Sequence, residues 1–184
     1  MRLFSISIFI LLFSSCERWS HVTANADYIV VQNGVIYFEN ERFTGNVIKF
    51  NSTGSDTVEL YAVRDGKQHG RYKTWYADGM TNEKRFYKDN RRDGHHQKWY
   101  PNGKQAFDYH FEEGVYIDTL KEWYPNGQLY LLSHYVNGQQ VGRQQAWRAN
   151  GELYLNYDVV KGRKYGNAGN KHCKSLWSEV TDSM

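Results

Sequence analysis

Basic tracts, long apolar segments and proline are all scarce in this sequence of 184 residues. The 23 basic residues are balanced by 20 acidic ones and form no run of the kind that follows a phosphate backbone, so we expect no nucleic-acid partner. The longest apolar stretch, residues 3–13, is too short to span a membrane. Two Pro, 16 Gly and 16% aromatic residues favour short β-strands with frequent turns.

Catalytic signatures are missing as well. The sequence holds no Gly-x-Ser-x-Gly nucleophile turn, no His-Glu-x-x-His motif and no phosphate loop. Its Asp and Glu residues are scattered over positions expected on a solvated surface. We therefore predict that the protein is not an enzyme and has no catalytic residues and no cofactor.

Four Trp residues recur at intervals of 24 residues, and each begins a phrase that ends in Gly four residues later. The repeated positions are Trp75, Trp99, Trp123 and Trp147, with Gly79, Gly103, Gly127 and Gly151. A second turn recurs with the same period, at residues 66–70, 90–94, 114–118, 138–142 and 162–166. A fixed period of this size indicates a repeat array, and each unit holds two strand-length runs.

Alternation of apolar and polar residues identifies these runs as strands. Phe107, Tyr109 and Phe111 fall on one side, whereas Asp108 and His110 fall on the other. The Pro-Asn-Gly phrases are strong hairpin signals, because Asn and Gly tolerate positive φ. We predict an all-β fold, an antiparallel meander of repeated β-hairpins that forms an elongated, single twisted sheet.

The aromatic columns are expected to divide between the two faces of the sheet. We expect the Trp column to pack as the core, since a single sheet must bury one aromatic face, with a platform for sugar rings or bases as the alternative. The Tyr residues after three of the Trp residues would then form an exposed strip, and Tyr is favoured in interfaces. The predicted binding residues are Tyr76, Tyr100, Tyr124, Tyr130 and Tyr154.

The histidines predict no metal site. His110 and His134 are equivalent positions in successive units, roughly 10 Å apart across two strand spacings. Zinc holds its nitrogen ligands at about 2 Å, so one ion would not bridge this pair. His95 and His96 are neighbours in one strand and point to opposite faces.

The N-terminus indicates an exported protein. Residues 1–15 combine a short positive start with an apolar stretch, and the small residues before Cys16 resemble a bacterial lipobox, although Phe13 stands where Leu is usual. We predict lipidation of Cys16 and a periplasmic or outer-membrane lipoprotein in the cell envelope. Ordinary signal cleavage is the alternative, in which case Cys16 could pair with Cys173.

The predicted organisation has four parts. They are a lipoprotein-type signal peptide (1–15), a linker (16–26), a β-hairpin repeat domain (27–166) and a C-terminal cap or tail (167–184).

The phrase Trp-Tyr-Pro-Asn-Gly, followed eleven residues later by a Gly-x-x-x-Gly turn, resembles the MORN-variant repeat of bacterial proteins often labelled YwqK-type antitoxins. The resembling copies cover roughly residues 43–166, and the family supplies no catalytic residue. With the lipobox, this resemblance implies a non-enzymatic, membrane-anchored scaffold that presents its sheet to an unknown protein partner. The alternatives are an antitoxin or immunity protein that neutralises a specific toxin, and a binder of envelope polysaccharide.

Overall fold

The computed structural model describes residues 23–168, which form β-strands and one short 3₁₀-helix, Ala26–Tyr28. The strands are β1 (Thr23–Asn25), β2 (Ile29–Gln32), β3 (Val35–Phe38), β4 (Glu41–Arg42), β5 (Gly45–Phe50), β6 (Thr57–Arg64), β7 (Lys67–Trp75), β8 (Thr81–Lys88), β9 (Arg91–Arg92), β10 (Gly94–Trp99), β11 (Gln105–Glu112), β12 (Val115–Trp123), β13 (Leu129–Val136), β14 (Gln139–Gln140), β15 (Gly142–Trp147), β16 (Leu153–Val160) and β17 (Arg163–Asn167). The predicted all-β class is confirmed.

One sheet contains 14 of these strands. Its neighbours follow the order β1-β5-β6-β7-β8-β10-β11-β12-β13-β15-β16-β17, while β9 pairs with β8 and β14 pairs with β13. Every pair from β5 to β17 is antiparallel, so the predicted meander is confirmed. The sheet is not closed into a barrel, and at about 4.8 Å per strand its path is roughly 50 Å long.

The N-terminal strands cover one end of this sheet. β1 pairs in parallel with β5, and its central residue, Ala24, is 4% exposed. β2, β3 and β4 form a separate three-stranded sheet. Ile36 and Phe43 from this part of the chain pack with Ala24 and Val47 in one buried cluster. Residues 23–26, which lie in the segment 16–26 expected to be a linker, are therefore part of the folded structure.

Two kinds of turn alternate along the meander. The tighter turns place two residues with positive φ between paired strands, as at Glu113 (49°) and Gly114 (92°), which is the requirement of a type I′ hairpin. The wider turns end at the repeated glycine, and Gly79 has a φ of 83°. The Asn of the Pro-Asn-Gly sequence stabilises the wider turn through a side-chain hydrogen bond, not through a positive φ. Asn102 Oδ1 accepts a hydrogen bond from the backbone N–H of Lys104 at 3.1 Å.

One face of the main sheet carries a continuous series of aromatic contacts. The ring centroids of successive members are 4.5 to 6.4 Å apart. We call this the aromatic face, and the series consists of Tyr61, Tyr72, Tyr87, His96, Phe111, Tyr116 and Tyr135. Phe107, Tyr109 and Phe111 pack together on this face, as their alternation predicts.

The opposite face is more polar. Lys73, Lys84, Gln97, Asp108 and Lys121 are successive cross-strand partners and therefore form one row across β7, β8, β10, β11 and β12. The row continues from Lys121 through Leu132 to Gln145. Each of the four Trp residues follows a member of this row by two positions in its own strand, so it lies on the same face. We call this the tryptophan face.

Candidate functional site

The Trp column lies on the polar face and is only half buried. The Nζ atom of Lys73 is 4.6 Å from the ring centroid of Trp75, and that of Lys84 is 5.3 Å from the ring centroid of Trp99. This corrects the expectation that the column forms the core. Each Trp ends its strand at a register shift, at the margin of the sheet. The buried aromatic residues of the central strands, such as Phe107 and Phe111, lie on the opposite face.

The tyrosines after the Trp residues connect successive repeats. The hydroxyl groups of Tyr76, Tyr100 and Tyr124 donate to the backbone oxygen of the next Trp at 2.7, 2.8 and 3.1 Å. All three side chains are half buried. Burial, with a smaller contribution from Glu122, raises the pKa of Tyr100 to about 12. Their periodicity could be predicted, but this bond could not, because it depends on the distance between hairpins.

The other two predicted binding residues are also partly withdrawn from solvent. Tyr130 is 8% exposed, and its ring lies 5.2 Å from that of Tyr124 in an edge-on arrangement. Tyr154 is half buried, with the Arg148 guanidinium 6.0 Å from its ring centroid. Tyr130 therefore offers almost no area to a partner, whereas a binding role for the other four tyrosines stays a prediction.

Buried polar groups on the aromatic face make hydrogen bonds within the sheet, and Glu122 Oε2 is buried with no partner among residues 23–168. The Tyr109 hydroxyl donates to Glu122 Oε1 at 2.7 Å, and burial raises the pKa of Glu122. His96 is 2% exposed, and its Nε2 donates to the Phe86 oxygen at 2.8 Å. Burial is the main cause that lowers the pKa of His96 to about 4, so the ring is neutral at pH 7. These contacts indicate structural roles.

A shallow groove of about 600 Å³ lies on β7, β8 and β10. Its lining residues are Arg71, Tyr72, Lys73, Lys84, Arg85, Phe86, Gly94, His95 and Gln97. No Asp or Glu from the described part of the chain is among them. Phe86 is 37% exposed and adds an apolar patch between the basic side chains. The groove therefore suits an anionic ligand surface that also has an apolar group.

A second cluster adjoins this groove. His95, Asp108 and His110 each place a potential ligand atom within 4.8 Å of the others. The prediction of no metal site considered His110 with His134 and missed His95, which is the direct cross-strand partner of His110. As predicted, His95 and His96 point to opposite faces, since His95 contacts His110 while His96 contacts Phe111.

The predicted lipidation site, Cys16, and the second cysteine, Cys173, lie outside the described residues. No helix within residues 23–168 is long and apolar enough to cross a membrane.

The MORN repeat variant matches residues 68–89 and 119–137, which correspond to β7–β8 and β12–β13. MORN repeats suggest a repeat-based binding or scaffold protein, and the family is generally non-catalytic. No curated protein matches the chain.

Proposed function

We propose that this protein is a non-enzymatic repeat scaffold of the cell envelope that binds a protein partner through its tryptophan face. The observation that carries the proposal is the basic groove around Lys73 and Lys84. Repeat arrays bind through extended surfaces built from equivalent positions, and this groove is the part of that surface with the clearest chemical character.

The partner's chemistry follows from the groove. Arg71, Lys73 and Lys84 supply positive charge, while Phe86 supplies apolar area. A ring beneath an ammonium group attracts the cation, so Lys73 is held over Trp75 and presented to the groove. An acidic protein surface with an exposed apolar side chain complements this arrangement. Such charge complementarity raises the association rate and makes binding sensitive to salt.

Charge reversal tests this surface. In affinity capture with the tagged full-length chain, the Lys73→Glu/Lys84→Glu double variant is expected to recover at least tenfold less of the main partner. Lys121→Glu is the matched control, because Lys121 stands in the same row but outside the groove. Capture by the wild type should fall as salt rises. The proposal fails if the double variant captures normally, or if Lys121→Glu causes an equal loss.

Two further functions are separated by the same capture. Toxin neutralisation is a specific form of protein binding, and a toxin would be recovered in fixed stoichiometry with the chain. Polysaccharide binding is favoured by the half-exposed Trp column, whose members stand two strands, or roughly 10 Å, apart. Retention on envelope polysaccharide that is lost in Trp99→Ala but kept in Lys73→Glu/Lys84→Glu would favour this second function.

Anchoring through Cys16 is the remaining part of the proposal. The lipobox-like sequence supports it, and the first described strand begins at Thr23, seven residues later (23 − 16). Seven residues extend at most about 25 Å, so a lipid on Cys16 would keep the N-terminal end of the sheet close to the membrane surface. The groove, which begins two strands after β5, would then face partners within the envelope.

A further inference from the structure

The residues His95, Asp108 and His110 interrupt the repeat. In the preceding unit the equivalent positions are Arg71, Lys84 and Phe86, and in the two following units they are Thr119, Leu132 and His134, then Arg143, Asn156 and Asp158. Each unit pairs equivalent strands with other side chains at these positions, so the fold does not require two imidazoles and a carboxylate there. A set of metal-ligating side chains in one unit alone needs an explanation other than repeat packing.

The geometry points to a divalent transition-metal site formed by these three residues, and we propose that it binds Zn²⁺ or a similar ion. His95 on β10 lies directly opposite His110 on β11, and Asp108 precedes His110 by two residues on the same face. The two imidazole rings are stacked, with their centroids 4.3 Å apart. His95 Nε2 is also in contact with Asp108 Oδ1.

Only small movements separate this arrangement from coordination. The three ligand atoms lie within 4.8 Å of one another. An ion held at about 2.0–2.2 Å from each would bring them to roughly 3.5 Å from one another. In a stack, the two rings direct their nitrogens in parallel and not toward a common point. Rotation of one imidazole out of the stack would bring its nitrogen toward the other two ligand atoms and shorten the separation from 4.8 Å to the roughly 3.5 Å that coordination requires. His95 is exposed, with 43% of its side chain accessible, so it can make that movement.

Neighbouring side chains already orient the carboxylate. The second oxygen of Asp108, Oδ2, accepts hydrogen bonds from Gln105 Nε2 at 3.2 Å and from Gln97 Nε2 at 3.4 Å. These bonds leave Oδ1 directed at the imidazoles, as outer partners of metal ligands do. His110 Nδ1 is buried and has no hydrogen-bond partner among the described residues, so coordination through this nitrogen would give it an interaction that it otherwise lacks.

The ligand set selects the class of ion. Two imidazoles and one carboxylate suit Zn²⁺, Cu²⁺ or Ni²⁺, whereas Mg²⁺ and Ca²⁺ prefer sets made of oxygen alone. Three protein ligands leave one position for water or for a side chain of a partner. Lys121, the cross-strand partner of Asp108, adds positive charge nearby and opposes tight binding. We therefore expect weaker binding than at a site with the same ligands and no neighbouring cation.

Calorimetric titration of the tag-free full-length protein with Zn²⁺ tests the site. One equivalent should bind per chain, and His95→Ala or His110→Ala should each weaken binding at least tenfold. His134→Ala is the matched control, since His134 is the equivalent of His110 one repeat later. Cys173→Ser should leave the stoichiometry unchanged, which removes the thiol as a ligand.

Imidazole proton resonances give an independent readout that does not depend on alanine variants. Zn²⁺ should shift the resonances of His95 and His110 and leave those of His96 and His134 in place. The site is refuted if wild-type protein binds no Zn²⁺, if His95→Ala and His110→Ala bind it normally, or if only His134 resonances respond. In that case His95 and Asp108 form a hydrogen-bonded pair and nothing more.

Discussion

The hydrogen bond from Tyr100 to the next repeat allows the coupling between hairpins to be measured. Tyr100→Phe removes the hydroxyl that donates to the Trp123 oxygen at 2.8 Å and leaves the ring in place. A net intramolecular hydrogen bond contributes about 1 kcal/mol. In a chain of this size that loss lowers the melting temperature by roughly 2–4 °C.

Replacement of all three tyrosines by Phe extends the test. The bonds of Tyr76, Tyr100 and Tyr124 lie in separate repeats, so their losses should add to about 3 kcal/mol. Tyr165→Phe is the control, because its side chain is 54% exposed, and a change within about 0.5 kcal/mol is expected there.

Urea denaturation followed by circular dichroism is a suitable assay. The reasoning is refuted if Tyr100→Phe is as stable as Tyr165→Phe, or if the triple variant loses no more than Tyr100→Phe alone. Tyr100→Ser should cost more than Tyr100→Phe, since it also removes a half-buried ring. An exposed strip, as expected from the sequence, would instead tolerate Tyr100→Ser with little loss of stability, because exposed side chains contribute little to the free energy of unfolding.

Two further predictions concern pH and anchoring. The pKa of His96 is about 4 in the folded protein and about 6.5 when unfolded, so the unfolded state takes up a proton first as pH falls. Stability of about 3 kcal/mol is therefore lost as the pH falls from above 6.5 to 4. His96→Gln introduces the residue that occupies the equivalent position two repeats later, where Gln144 Nε2 donates to the His134 oxygen at 3.2 Å. Urea unfolding at pH 7 and pH 4.5 should show a smaller loss of stability in this variant than in wild type. Equal losses in the two proteins would exclude His96 as the cause. Cys16→Ser should move the full-length protein from the detergent phase to the aqueous phase or leave it unprocessed, and equal membrane association of the processed variant and wild type would contradict lipidation.

The period of 24 residues was sufficient to predict the strands, the turns and the meander. It also predicted the face of Phe107, Tyr109 and Phe111, because alternation within one strand needs no knowledge of its neighbours. The same rule, applied to β7, places Trp75 in phase with Lys73 and out of phase with Tyr72. Alternation within the strand therefore predicts that the Trp column shares a face with Lys73, which the need of a single sheet to bury one aromatic face does not.

The contacts between strands could not be predicted in the same way. His95 meets His110 only because of the register between β10 and β11, which shifts at Trp99 and Gln105. A shift of one residue would place these side chains on opposite faces. The Tyr100 bond likewise depends on the distance between two hairpins. Sequence period identifies equivalent positions, whereas register decides which of them touch.

Position 148 ends the series of tyrosines. Arg148 stands where Tyr76, Tyr100 and Tyr124 stand in the earlier repeats, and it pairs with Glu152 of its own hairpin at 3.2 Å. Beyond this point, strands β16 and β17 join the array through their backbone ladder and side-chain packing, without the hydroxyl bond that reaches forward to the next unit. The two ends of the array therefore differ in stability. Local opening should start at the C-terminal strands and proceed toward the buried N-terminal cluster around Ala24 and Val47. Backbone amide protons should exchange in the same order, fastest in β16 and β17.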